Sequence, residues 1–369
     1  GETFQWALSH TKLEDLQELT ESKSATKKLR DDRPDFSKYS NEELFDQYLE
    51  LLKLHRKYFS QHIFTTYMAT VPVGIISGVA NAVGRPDLLL PIIAGFGEVD
   101  SAEPSHAMWD MGRLVRSNDD LTAEFEKGIT GLIDRLLQSE SPETTEFLKA
   151  FEHFIYEYGS RGPNEWEARS PSWETRPELA LNAIDRMRLA GDELAPKTQT
   201  AERAIQREQA ATELLSLVET DPEVHGELAV GIAASAAWLP ARERTKTNNI
   251  RLIHEMRMIM RAIGARMVEK NAFDEIEDFG FVTEEEYASL FKEPTSMLNI
   301  IRSRRDEYYK LLEREAQFLF DGQADHPNTW RRRDAVSEDV LAEGESLQGM
   351  PGCTGSAEGT ARVILDSND

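Results

Sequence analysis

The sequence predicts an all-α protein: a large helical bundle interrupted by one long irregular loop, with a short β segment at its C-terminal end. Three observations carry this. Apolar residues recur at helical spacing along most of the 369 residues. Residues 156–177 contain Gly159, Gly162, Pro163, Pro171 and Pro177 and forbid a continuous helix. Near the end, Gly349, Gly352, Gly355 and Gly359 precede a β-branched run, Val363–Leu365, which reads as turn then strand.

Residues 1–39 read as a polar arm with one weak helix before Pro34. At residue 40 a helix begins, because Ser40 and Glu43 have the spacing of a capping box. Leu44, Tyr48, Leu51, His55, Phe59 and His62 form its stripe, with Thr66 next and Tyr67 beside it. The two histidines are roughly 10 Å apart along the axis, too far to chelate one metal together. The apolar run Met68–Val83 holds Pro72, Gly74 and Gly78, so it reads as a buried helix pair or turn. It falls short of the ~20 residues a membrane span requires.

Further helices are expected from Ser101 or Ser105 as cap to about Arg116, and from about Asp119 to Leu137. Another starts at Ser141 with Pro142 in its first turn and ends before Gly159. Beyond the loop, Leu179–Leu189, Thr200–Thr220, Pro222–Trp238, Pro240 to about Lys270 and Pro294–Phe320 carry helical patterns, with Thr283 capping a helix between the last two. Residues 40–320 are thus one helical domain, 321–346 a polar linker, and 347–369 the start of another domain.

Two stretches point to chemistry. The loop gathers Arg161, Arg169 and Arg176, three glutamates including Glu165 and Glu167, and Trp166 and Trp173. Tryptophans argue against disorder, so the segment is either an ordered ion-paired connector or a ligand-facing loop. In the helix after Pro240, Ile253, Met256, Met260, Ile263 and Met267 share an apolar face. Continued backward, that face reaches Asn249, Lys246 and Arg242. Inward cations need an anion, supplied by Glu165 or Glu167 or by a ligand.

The formal charge of −24 excludes general binding to nucleic-acid backbones or anionic membranes. One cysteine, Cys353, precludes an internal disulfide and fits a reducing cytoplasm. Gly1 in place of Met suggests a trimmed tag or an excised fragment. No Cys/His metal spacing, Ser/His/Asp set or nucleotide-binding glycine loop is present, so no metal or cofactor is expected in this chain.

The loop "YGSRGPNEWEARSPSWETRP" resembles that of the phosphoenolpyruvate synthase-like phosphotransferases, the group that includes the rifampin phosphotransferases. The match falls on Tyr158, Gly159, Arg161, Glu165, Glu167, Pro171, Trp173 and Pro177. Ser160 stands where the family often has His or Met, and Asn164 where it usually has Gly. Gly97-Glu98-Val99-Asp100-Ser101-Ala102-Glu103-Pro104, residues 273–291 and "ARERTKTNNIRLIHEMR" are similar to further family segments. The end of the chain looks like the first strand of the family's swivelling phosphohistidine domain, on Leu347, Gly349, Gly355, Gly359, Ala361, Arg362 and Val363.

The resemblance implies the acceptor-binding part of a multidomain ATP-dependent phosphotransferase. Its ATP-grasp domain would use ATP and Mg to phosphorylate a mobile histidine, releasing AMP and phosphate. The partners would be that domain, the phosphohistidine domain and a hydroxylated small molecule such as an antibiotic or phenol. Arg242 and Lys246 would hold the phosphoryl group, Arg161 and Glu165 would order the loop, and Asn164, Trp166, Trp173, His55, His62, Tyr67 and Asn249 would join them in binding the acceptor. The isolated chain would bind without turning over. Two alternatives are a non-catalytic helical interaction module, which Ser160 and Asn164 favour, and an acceptor domain for condensation or ligation.

Overall fold

The computed structural model describes residues 2–96 and 99–333, together with residues 346 and 359. The chain separates into two compact units, residues 1–302 and 303–369. Its α-helices are α1 (Glu2–Leu8), α2 (Gln17–Asp31), α3 (Asn41–Ala82), α4 (Leu89–Ile92), α5 (Glu103–Arg116), α6 (Asp119–Glu126) and α7 (Leu132–Leu137). They continue with α8 (Pro142–Tyr158), α9 (Glu178–Leu189), α10 (Pro196–Leu217), α11 (Pro222–Glu269), α12 (Tyr287–Lys292) and α13 (Leu298–Leu312).

The all-α expectation holds, and α3 and α11 are its axis. They run antiparallel side by side. Arg266 reaches Asn41 at one end, Asn249 meets Tyr58 and Thr245 meets His62 in the middle, and Gly231 lies against Ile75 at the other. Ser40 caps α3 as its spacing predicts: its hydroxyl accepts from Glu43 N at 3.1 Å, and the Glu43 carboxylate accepts from Ser40 N at 2.7 Å.

Both long helices overrun breaks the sequence predicts. The helix pair or turn expected within Met68–Val83 is absent, and α3 continues through Pro72, Gly74 and Gly78 to Ala82. The separate helices expected before and after Pro240 are one, α11. An interior proline costs about 3 kcal/mol. Burial along the shared face offsets it, since Ala69, Ile76, Ala80, Leu228, Ala234, Ala237, Trp238 and Ala241 are buried around both prolines. Gly231 lets the rods approach, because a Cβ there would lie 3.1 Å from the Ile75 side chain. As one continuous rod, α3 is long and apolar enough to cross a membrane by length and composition, a test that the core helix of a soluble protein also passes.

The second layer is α5 to α9, packed around Phe125, Phe147, Phe151, Phe154, Leu181 and Ile184. Neither Ser101 nor Ser105 caps α5; Ala102 holds the cap position without a side-chain bond. The helix expected over 119–137 is two, α6 and α7, because Gly128 (φ 93°) and Gly131 (φ 68°) take left-handed backbone between them. Arg135 binds the carbonyls this frees, at Gly128 and Thr130. Ser141 caps α8 through Thr144 N. The stretch before Thr283 forms a 3-10 helix, Ile276–Phe281.

The arm over 1–39 folds as two helices rather than one weak one, with α2 packed on α11. In the unit 303–369, α13 ends at Leu312 instead of Phe320, and an isolated antiparallel bridge pairs Arg314 with Arg332. The expected turn and strand over 347–369 lie outside the described residues, Gly359 aside.

Candidate functional site

The loop after α8 is ordered by its own backbone. Trp173 N donates to Arg161 O at 2.8 Å and Glu174 N to Gly159 O at 2.9 Å, so its two ends close on each other. Gly162 sits inside this closure; a Cβ there would lie 2.6 Å from Pro171 O. Asn164 takes φ 51°, the left-handed region. Glycine enters that region freely and asparagine is the residue that next best tolerates it. The departure at this position therefore keeps the backbone turn.

The closed loop lays Glu165 and Trp166 on the middle of the α3–α11 pair. Lys246 Nζ lies 2.8 Å from one Glu165 oxygen and Arg161 Nε 2.5 Å from the other. Burial alone would raise the Glu165 carboxyl, but Arg161 and Lys246 overcome it and hold the group below its ordinary value. The anion needed by an inward Lys246 is thus Glu165. Trp166 packs 5.5 Å from the His62 ring and 6.1 Å, edge-on, from Phe59. His62 Nδ1 is 3.0 Å from Thr245 Oγ1. Burial and the nearby charge of Arg242 and Lys246 keep its imidazole below its usual pKa, hence neutral at pH 7. His55 stacks on Phe59 at 5.8 Å and is also held low by burial.

Not every expected residue joins. Arg242 is half-exposed and pairs with its neighbour Glu243 at 2.7 Å, because its place at the start of the apolar face lies where that face meets solvent. Trp173 packs on Phe154, 5.3 Å away, within the α5–α9 core rather than beside Trp166. Tyr67 is 67% exposed and Asn249 fully buried, its amide donating to Tyr58 O and Thr245 O. The site residues brought together are therefore Arg161, Glu165, Trp166, His62 and Lys246, with His55 beyond Phe59. Among the described residues no cluster suits a metal ion.

Sequence reasoning passed over the groups that anchor the loop. Arg257 is 1% exposed and donates to the carbonyls of Ala168 (3.0 Å), Glu167 (3.1 Å) and Glu165 (3.4 Å). Its guanidinium also meets His254 Nδ1 at 2.9 Å. Burial, aided by Arg261, pushes Arg257 down to about 10, still charged at neutral pH. Because arginine only donates, His254 Nδ1 accepts, and its Nε2–H donates to Glu174 at 2.7 Å. Burial keeps His254 below its ordinary value against the pull of Glu174. Glu174 also holds Arg33 (2.6 Å) and Arg30, and Arg33 grips Glu255 through two bonds of 2.7 Å. Burial would raise the Glu174 carboxyl, yet the bonds from His254 and Arg33 hold it far below the usual range. The i,i+3 spacing of His254 and Arg257 on one helix face was the available signal.

Residues 61–243 match the family described as the rifampicin phosphotransferase fourth domain. The chain is 26% identical over 273 residues to a rifampicin phosphotransferase of Streptomyces sviceus, covering 72% of this chain and 30% of that protein. It is 22% identical over 276 residues to one from Bacillus cereus, covering 73% of this chain and 30% of that protein. The chain thus spans under a third of the length of the curated relatives it matches. The family match takes in His62, Arg161, Glu165, Trp166 and Arg242 and ends just before Lys246.

Proposed function

We propose, on the premise that this chain carries a rifampicin phosphotransferase-like domain, that it is the acceptor-binding part of an ATP-dependent phosphotransferase. One observation supports this reading most: a conformationally closed loop delivers a tryptophan and a carboxylate onto an inward-facing ammonium. The carboxylate of Glu165 occupies Lys246 as an incoming phosphoryl oxygen would. Lysine has three donors, so Lys246 can keep Glu165 and still meet a phosphate. Arg242, four residues earlier and half-exposed, would have to leave Glu243 to bring its charge to the same place.

In this reading an acceptor ring rests on the aromatic platform of Trp166, Phe59 and His62, which leaves Trp166 and Phe59 partly exposed. Because the neutral His62 imidazole of this platform has Nδ1 on Thr245 Oγ1, Nε2 would be the ring nitrogen to meet an acceptor OH. Lys246 and Arg242 neutralise charge on the phosphoryl group in flight, which is where fixed cations accelerate such transfers. The donor, a phosphohistidine charged from ATP and Mg with release of AMP and phosphate, belongs to other domains of the complete enzyme.

The test is full-length enzyme with ATP and a panel of hydroxylated aromatic compounds. AMP formation that depends on one compound, together with its phosphorylated form in the mass spectrum, supports the reading. AMP formation with a condensed, phosphate-free product moves the domain to ligation chemistry. Absence of any acceptor-dependent AMP favours a non-catalytic module.

A further inference from the structure

On the side of α3 turned away from Trp166, residues of α1, the turn that follows it, α3 and α11 line an open cavity of about 660 Å³. At 100° per residue, Phe64 on its wall points about 200° round the helix from His62. The walls are aromatic. The Trp6 ring lies 4.5 Å from His10, 6.0 Å from Phe64 and 5.7 Å, edge-on, from Trp238. The Trp238 N–H is occupied by Ala7 O at 2.7 Å, so the indole offers the cavity only its apolar surface. Trp6 and Phe64 are each 45% exposed, although they sit among other rings that would cover them in a closed core.

The rim is acidic. Glu14 and Asp15 line the cavity, and no lysine or arginine does. Asp15 uses one oxygen on Thr11 N and Lys12 N, at 3.3 and 3.1 Å. Glu14 makes no hydrogen bond or ion pair among the described residues.

We propose that this cavity binds an organic cation with a flat aromatic body, such as an aryl-methyl ammonium. Ring faces of tryptophan and phenylalanine carry negative potential and attract ammonium groups within about 6 Å. A neutral guest of the same shape gains the ring contacts alone. An anion meets two carboxylates and an overall charge of −24. The volume falls within the range of small-molecule sites, roughly 300–1,000 Å³. This site is separate from the Lys246 platform and does not depend on the phosphotransfer reading.

Calorimetric titration of this chain with naphthylmethylammonium, naphthylmethanol and naphthalenesulfonate at one ionic strength tests it. The ammonium binds about tenfold or more tightly than the alcohol, and the sulfonate most weakly. Trp6→Ala abolishes binding, Trp6→Phe retains most of it, and Glu14→Gln brings the ammonium close to the alcohol. Trp166→Ala, on the far side of α3, leaves the preference for the ammonium over the alcohol in place. The proposal is overturned if none of the probes binds, if alcohol and ammonium bind alike, or if Trp166→Ala removes binding that Trp6→Phe and Glu14→Gln leave intact. Should Trp6→Ala lose helical circular dichroism, the Trp6→Phe and Glu14→Gln titrations decide. None of these outcomes bears on Lys246, so the two readings fail independently.

Discussion

Lys246 of α11 lies 2.8 Å from Glu165 of the loop, one of the contacts that join the loop to the long helix pair. Both side chains are largely shielded, so neither charge is tolerated alone. Glu165→Gln removes the shared anion and leaves Arg161 and Lys246 facing each other. It lowers stability by about 2 kcal/mol, the scale of a charged hydrogen bond. Urea unfolding reads the loss, and a red shift of tryptophan emission reports Trp166 leaving His62.

Arg257→Met is more damaging. It strands three loop carbonyls and the His254 Nδ1 lone pair inside the protein. Unsatisfied buried groups cost about 1–3 kcal/mol each before relaxation, so a net loss of about 3 kcal/mol is expected. Hydrogen exchange should rise at residues 165–170 more than in α9. Uniform acceleration across both would contradict the role of Arg257 as the loop's anchor.

The Glu174 network sets the acid response. The Glu174 carboxyl is depressed in the fold, so its stabilisation is complete above the unfolded value near 4.3 and fades as pH falls toward the folded one. His254 is also depressed, so unfolded histidine takes up a proton first, and stability begins to drop below pH ~6.5. Both act in one direction. Urea midpoints should fall steadily from pH 7 to pH 3, and Glu174→Gln should flatten the part below pH 5 while costing about 3 kcal/mol at pH 7. A wild-type midpoint independent of pH over this interval would contradict the network.

The bundle was legible because its signals are local: the Ser40–Glu43 box, the Ile253-to-Met267 stripe and the Ser141 cap each appear where spacing places them. Pro72 and Pro240 misled because a penalty of local origin was offset by packing between segments far apart in sequence. At the site, the cost of burying a bare cation called for an anion at inward Lys246, with Glu165, Glu167 and a ligand all open, and the fold supplies Glu165. Trp173 could not be placed the same way, since its choice of Phe154 over Trp166 depends on how the loop closes. The Arg33–Glu174–His254–Arg257 chain joins three distant segments, and no single stretch carries a signal for it.

Gly162 tests the closure itself. Its backbone is not strained, but an added methyl meets Pro171 O at 2.6 Å and Ser172 Cα at 3.0 Å. Gly162→Ala should cost about 1–3 kcal/mol by overpacking. Thermal unfolding checks the size, and unchanged stability would mean the loop ends are not held together.

We propose that Lys246 acts on a phosphoryl group arriving from elsewhere in the enzyme. Rapid-quench kinetics of full-length Lys246→Met, with ATP and the acceptor identified from the panel, separates the two half-reactions. Histidine phosphorylation by ATP should keep its rate while transfer to the acceptor falls about 10²–10³-fold, with partial recovery in Lys246→Arg. Transfer at the wild-type rate in Lys246→Met would contradict it.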